Sequence, residues 1–343
     1  MKRKVRRELV TIAMLLLTFA CAATHAFTQP DDKKPQLHLH EQLLLREDLR
    51  GMSASSTSRV DDASLQTILV GAQQQQAESQ YLLAMMRLYG HRVEKDVGAA
   101  VSLLKKVASQ AHRDAEFALG MLHSTGVVAE GGGVVVPQSD RMSAMWLSNS
   151  ANRGHVDAKW MLAVLLNEGR GIKENVPRAL ELLEDAASVH NCHAQFHLGV
   201  MYEYGRGVPQ NFSRAAELYE MAGNDLPDAL YYLGLLHLQG RGRRHSYLSA
   251  MELFQRAVER FEHAQAMYAL GQMHAHGQGT PVDYTLALAW LRRAAQRNDP
   301  RISATADQVA NELQMFLQQV EARVRAQEKA LGTAIRVTVG AIE

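Results

Sequence analysis

The amino-acid sequence predicts an all-α protein, a right-handed α-solenoid of about six helix-turn-helix repeats with a capping helix at each end. The main observation is a cassette that returns six times: a small residue, a Leu-Gly or Leu-Ala pair four residues later, and a glycine seven residues after that leucine. The cassettes begin at Ser79, Ala115, Ala158, Ala194, Ala229 and Ala266, at spacings of 36, 43, 36, 35 and 37 residues. A period of this length is typical of helix pairs that bury their apolar faces only by stacking on their neighbours.

The fourth repeat illustrates how the sequence makes a helical hairpin. Residues 194–204 carry apolar side chains at helical spacing and predict a first helix. Gly205 ends this helix, because glycine adopts a positive φ at little cost, and Pro209 prevents the helix from resuming. Asn211 predicts the N-cap of a second helix, since its side-chain oxygen accepts from a backbone amide two or three residues on. Gly199 is small enough for the two helices to approach closely.

The other repeats follow the same pattern, with two departures. Paired turn glycines recur at Gly169 and Gly171, Gly205 and Gly207, Gly240 and Gly242, and Gly277 and Gly279. The first repeat lacks the second glycine and has Arg92 after Gly90 and His91. The second repeat contains an insertion at about residues 127–136, which we predict to be a surface loop because insertions between paired helices are tolerated at low cost.

These residues resemble a known family. The strings Ala194 to Gly199 and Gly205 to Val208, together with Tyr202, Ala215 and Ala222, resemble the Sel-1-like repeat, a relative of the tetratricopeptide repeat. The resemblance covers roughly residues 79–301. It implies a non-enzymatic scaffold that binds other proteins.

The resemblance also implies where partners bind. In such hairpins the first helix lines the inner surface of the solenoid, and its small and apolar cassette positions turn toward neighbouring helices. The remaining positions, represented by Lys159, Gln195 and Glu203, are therefore predicted to form a partner-binding groove. A second hypothesis is that the apolar stripe of the C-terminal helix, which includes Leu313 and Phe316, docks the partner.

The sequence divides into six segments. They are a signal peptide (1–26), a flexible linker (27–60), an N-terminal capping helix (61–78), the repeats (79–301), a C-terminal amphipathic capping helix (302–331) and a tail (332–343). The signal peptide is predicted from basic residues before the apolar stretch Leu9–Ala20 and from a small-residue cleavage site at Thr24–Ala26. This stretch is short for a membrane span, which needs about 20 residues. An uncleaved signal-anchor is the alternative.

Two hypotheses for cellular role follow. A signal peptide before Sel-1-like repeats resembles the lumenal adaptors of HRD-type ubiquitin ligases, which implies a location in the secretory pathway, in the lumen of the endoplasmic reticulum. Such an adaptor links misfolded glycoproteins to a membrane ubiquitin ligase in ER-associated degradation. The alternative is a bacterial periplasmic or secreted repeat protein that regulates an envelope enzyme or engages a host protein. The triplet Asn211-Phe212-Ser213 satisfies the N-glycosylation rule, and modification of Asn211 would distinguish the two.

Composition and motifs argue against catalysis. Without residues 1–26 the net charge is about −3, with no clustered basic face of the kind that nucleic-acid binding needs. The sequence has no nucleotide-binding glycine loop, no Cys-x-x-Cys and no His-Glu-x-x-His, so we expect no cofactor, no metal site and no catalytic residues. The histidines His193 and His197 share a helix face, but we interpret them as packing residues. The run Gln73–Gln76 is interpreted as a solvated helix face.

Overall fold

The computed structural model describes residues 62–128, 133–297 and 299–339 and, within them, an all-α repeat solenoid. These residues form fourteen helices and one short β-ribbon. The helices are α1 (Asp62–Gln73), α2 (Ala77–Tyr89), α3 (Val97–Ala108), α4 (Arg113–Thr125), α5 (Asp140–Asn152), α6 (Val156–Glu168), α7 (Val176–Ser188), α8 (Cys192–Tyr204), α9 (Phe212–Ala222), α10 (Pro227–Gln239), α11 (Tyr247–Phe261), α12 (Ala264–His276), α13 (Tyr284–Gln296) and α14 (Ser303–Val339). Repeats 1 to 6 are the successive pairs from α2/α3 to α12/α13.

The described residues divide into two compact units, 62–222 and 223–339. The first unit contains α1 to α9 and therefore repeats 1 to 4. Its core lies between the stacked helices, where Leu104, Leu147 and Leu183 of the second helices are almost completely buried. The second unit contains repeats 5 and 6 and α14. Its core includes Leu291 and Leu313, which pack in one apolar cluster.

The turns have the conformation that the glycine pattern predicts. Gly205 has φ 66° and ψ 33°, in the left-handed region, and its amide bonds to the carbonyl of Met201. Asn211 Oδ1 accepts from the Arg214 amide at 3.0 Å, so the predicted N-cap of the second helix is confirmed. In repeat 1, Arg92 adopts φ 57° in place of the missing second glycine. The turn is therefore kept there in spite of the steric cost of a side chain in this region.

Close packing within each hairpin depends on small residues, as the sequence indicates. A Cβ atom added to Gly199 in α8 would lie 2.7 Å from the ring of Tyr219 in α9. Tyr219 and Ala215 are both completely buried at this contact. A larger residue than glycine would therefore push the two helices apart.

The segments on either side of the repeats are helical, with bounds that differ from the sequence-based ones. α1 ends at Gln73, and Gln75 has φ 62°, so the interpretation of the glutamine run as a helix face is wrong. The run is the exposed turn between α1 and α2, because the chain must reverse there to start the first hairpin. α14 begins at Ser303 and packs on α13 through Leu313, with Phe316 and Leu317 beside it. The predicted signal peptide and linker lie outside the described residues.

The insertion in repeat 2 is not a plain loop. Val127–Val128 (β1) pairs with Val134–Val136 (β2) in an antiparallel ribbon. Val136 is buried in the core of the first unit, whereas Val128 and Val134 are mostly exposed. Among the residues that the structure describes, no helix has the length and apolar character needed to cross a membrane.

Candidate protein-binding site

Every first helix carries an aromatic side chain two residues after the start of its cassette. These residues are Tyr81, Phe117, Trp160, Phe196, Tyr231 and Tyr268. Several of the rings stack on a histidine of the next repeat: Phe117 on His155 at a centroid distance of 4.2 Å, and Trp160 on His193 and His197 at 4.8 and 5.5 Å. Sequence reasoning missed this column, although its fixed spacing was the available signal. Because their rings stack on Trp160, His193 and His197 are packing residues, as we expected.

The start of most first helices is capped by a side chain that also reaches the preceding repeat. His112, His155, Asn191 and His263 accept from the backbone amide three residues on, at 2.9–3.4 Å. Their other polar atom contacts an acidic residue, in the pairs His112–Glu78 (3.0 Å), His155–Asp114 (3.4 Å), Asn191–Asp157 (2.8 Å) and His263–Asp228 (3.4 Å). These cap links join neighbouring repeats within each unit.

We expect the cap link at His155 to make the free energy of unfolding depend on pH. Burial lowers the pKa of His155 below its ordinary value, and the nearby carboxylates of Asp157 and Asp114 only partly oppose this effect. The unfolded chain therefore takes up a proton first as the pH falls below about 6.5, the usual histidine pKa. Stability present above this pH is lost as the pH falls toward the lower pKa of the folded state.

We expect the free energy of unfolding to fall between pH 7.5 and pH 5.5, with His155 contributing at most about 1.4 kcal/mol per pH unit, the slope for one proton. His155→Asn is the matched control, because asparagine serves as the cap in repeat 4 and does not titrate. Urea unfolding at several pH values would measure the difference between the two proteins. A variant with the same pH slope as the parent would contradict the role given to His155.

A cavity of 510 Å³ lies between the first helices of repeats 3 and 4, within the first unit. It is lined by Ala163, Val164, Asn167, Glu168, Leu183, His197, Val200, Met201, Tyr204, Gly205 and Arg206. Its walls are largely apolar, since Val164, Val200 and Met201 all contribute to them. Tyr204 is 48% exposed, so this cavity is accessible from solvent. Concave, mostly apolar sites with a few polar groups are typical of ligand and anchor-residue binding.

The polar groups of the cavity differ in how well they are satisfied. Arg206 Nη2 donates to Glu174 Oε1 at 3.0 Å and to the Asn167 carbonyl, and Arg170 Nη1 donates to Glu168 Oε2 at 3.2 Å. Asn167 Oδ1, in contrast, is buried and has no hydrogen-bond partner. A buried acceptor without a donor costs free energy. The mostly apolar lining of the cavity therefore fits an apolar side chain.

None of the three predicted groove residues, Lys159, Gln195 and Glu203, lines the cavity. Gln195 is 2% exposed, so the prediction that its side chain faces an open groove is wrong. The position after the first cassette residue turns inward in most repeats. Lys159, at this position in repeat 3, is half-buried and forms an ion pair with Asp185. Glu203 accepts from the Tyr219 hydroxyl at 2.6 Å, and Asn167 occupies the corresponding place in repeat 3.

Two further sequence-based sites can be located. Asn211 is exposed at the start of α9, and its glycosylation stays a prediction. The described ranges contain no group of three or more histidine, cysteine or acidic side chains that could hold a metal ion.

Comparison with known proteins identifies the repeats. The sequence profile of the Sel1 repeat matches residues 77–112, 113–155, 156–189, 192–225, 227–260 and 264–299, well over half of the chain. No curated protein matches this sequence.

Two solved bacterial structures are similar to this chain. One, a Sel1 repeat protein from Oxalobacter formigenes, is 25% identical, with a TM-score of 0.60 over 78% of this chain and 76% of its own. The other is a protective antigen of uropathogenic Escherichia coli that displays an SLR fold. It is 23% identical, with a TM-score of 0.59 over 68% of this chain, which spans about half (49%) of that antigen.

Proposed function

We propose that this chain, which belongs to the Sel1 repeat family, binds a partner protein at the cavity between α6 and α8. Members of this family are generally protein-interaction scaffolds. We further propose that it acts without catalysis of its own. The partner inserts an apolar side chain between the two first helices, and Tyr204 packs on the inserted group.

The open, mostly apolar cavity is the observation that carries this proposal. Val164, Val200 and Met201 form a wall on which an inserted apolar side chain is buried. Tyr204 supports the same assignment, since tyrosine is enriched among residues that dominate binding energy at interfaces. Its 48% exposure leaves area to be buried on binding.

For the cellular role we propose the second sequence-based hypothesis, a periplasmic or secreted bacterial scaffold that regulates an envelope enzyme or engages a host protein. The two solved structures described above are of bacterial proteins and support this role better than that of an adaptor in the endoplasmic reticulum. Secretion is proposed from the sequence of residues 1–26.

The test is crosslinking of the full chain in its source cells and in contact with host cells, followed by affinity purification and mass spectrometry. The parent protein is compared with the double variant Asn167→Ala/Tyr204→Ala and with Met221→Ala. Met221 is the matched control, because it is an exposed apolar residue (45%) of the same unit that does not line the cavity.

We expect at least one protein to be recovered with the parent and with Met221→Ala. Its recovery should be at least about tenfold lower with the double variant, a loss that corresponds to about 1.4 kcal/mol of binding free energy. Crosslinked residues should include the rim of the cavity. Equal recovery with all three proteins, at unchanged helicity, would overturn the assignment of the cavity. Recovery of a membrane ubiquitin ligase would restore the adaptor hypothesis.

A further inference from the structure

The turn of repeat 5 departs from the pattern of repeats 3 and 4. After the second turn glycine, repeats 3 and 4 have Ile172 and Val208, which pack against the apolar core of their unit. Repeat 5 has Arg243 at this place. Repeat 5 thus has a charged residue where repeats 3 and 4 have an apolar one.

Arginine is concentrated in the sequence of this segment. The stretch from Ala229 to Met251 contains Arg241, Arg243 and Arg244 and no acidic residue. Arg241 and Arg244 are exposed. The corresponding turns of repeats 3 and 4 contain at most one excess positive charge, so the cluster is a property of repeat 5 and not of the repeat in general.

Apolar side chains lie directly beside these arginines. Leu248 is 63% exposed and Tyr247 is 37% exposed at the start of α11. The ring of His245 contacts Tyr247 edge-on at a centroid distance of 4.5 Å. The turn of repeat 6 packs on the same tyrosine, since a Cβ atom on Gly279 would lie 2.9 Å from Tyr247 Cβ. The tyrosine is therefore held in place, whereas Leu248 is left for contact with another molecule.

We propose that this segment, residues 240–248, is a second interaction surface, which binds an acidic protein segment carrying an apolar side chain. We call it the basic turn. Arg241 and Arg244 pair with carboxylates of the partner, and Tyr247 and Leu248 pack on its apolar residue. Arginine suits this role because its planar guanidinium binds carboxylates in a bidentate manner.

A protein partner is favoured over other anions by the extent of the cluster. Nucleic acid and anionic membranes bind extended basic faces or clusters of about four to eight basic residues. Here three arginines occupy one turn of a chain with a net charge of +1. The proposal does not depend on the cavity between α6 and α8.

The experiment measures fluorescence anisotropy of a labelled octapeptide in which six glutamates flank a Leu-Phe pair, with glutamines in place of glutamates as the control peptide. The full-length protein is compared with R241Q/R244Q, with Leu248→Ala, and with R178Q/R214Q. The last variant removes the same charge from exposed helix positions of repeats 3 and 4. Arg243→Ile gives repeat 5 the residue of repeat 3 and serves as a variant that favours folding.

We expect the glutamate peptide to bind the parent and R178Q/R214Q equally. Binding should be about tenfold weaker for R241Q/R244Q, about threefold weaker for Leu248→Ala, and weaker for Arg243→Ile. Equal binding to all variants, or equal binding of the glutamine peptide, would overturn the proposal. It would also be overturned if vesicles with phosphatidylserine or a DNA duplex bound more tightly than the peptide and lost this binding in R241Q/R244Q.

Discussion

Gly171→Ala should lower the free energy of unfolding by about 3 kcal/mol, whereas Gly154→Ala should lower it by about 1 kcal/mol. Both glycines have a positive φ, 67° and 84°, so both substitutions carry the cost of a side chain in the left-handed region. At Gly171 the new Cβ atom would also collide with the backbone of Asp140 and Arg141, in the preceding repeat. At Gly154 it would meet nothing within 4 Å.

Urea unfolding followed by far-ultraviolet circular dichroism measures this pair of variants. The difference between their free energies of unfolding reports the contact between the turn of repeat 3 and the start of α5, because the cost of a side chain at positive φ is common to both variants. Equal losses of stability would mean that the turn relaxes away from α5 without cost.

Trp160→Ala should lower the free energy of unfolding by about 4 kcal/mol, among the largest effects of any single substitution in the described chain. Trp160 is 2% exposed in the core of the first unit and is stacked on two histidines of α8. Its truncation would remove the apolar contacts of a large ring and leave a cavity between repeats 3 and 4.

Trp290→Ala is the control for this prediction. Trp290 is half-buried, and its ring is approached by the Arg293 guanidinium at 5.5 Å, an interaction worth about 1 kcal/mol. Denaturant midpoints of the two variants should therefore be clearly separated. If Trp160→Ala unfolded at the midpoint of Trp290→Ala, repeat 3 would be able to repack around the missing ring.

The hairpins could be predicted from the sequence because their signals are local. Gly205, Pro209 and Asn211 each act on the backbone within a few residues, and the structure places the helix end and the N-cap where these residues indicate. The ribbon in repeat 2 was missed, although Val134–Val136 are β-branched residues of the kind that favour strands.

The candidate site could not be predicted in the same way. Which face of a first helix is exposed depends on the side chains of the neighbouring repeats, so Gln195 was assigned to the surface although it is buried. The cavity is lined by residues of two first helices, such as Ala163 and Val200, whose cassettes begin 36 residues apart. A volume shared by two repeats has no signature in either of them.

The cap links have a consequence for how the protein is made. In each link the earlier repeat supplies the acidic residue, and the later repeat supplies the cap, as in Asp114 and His155. During synthesis the acidic residue of a link leaves the ribosome before the capping residue that it contacts. Within a unit, we therefore expect each finished hairpin to present a template on which the next helix starts, so that assembly during synthesis runs from the N-terminal to the C-terminal repeat.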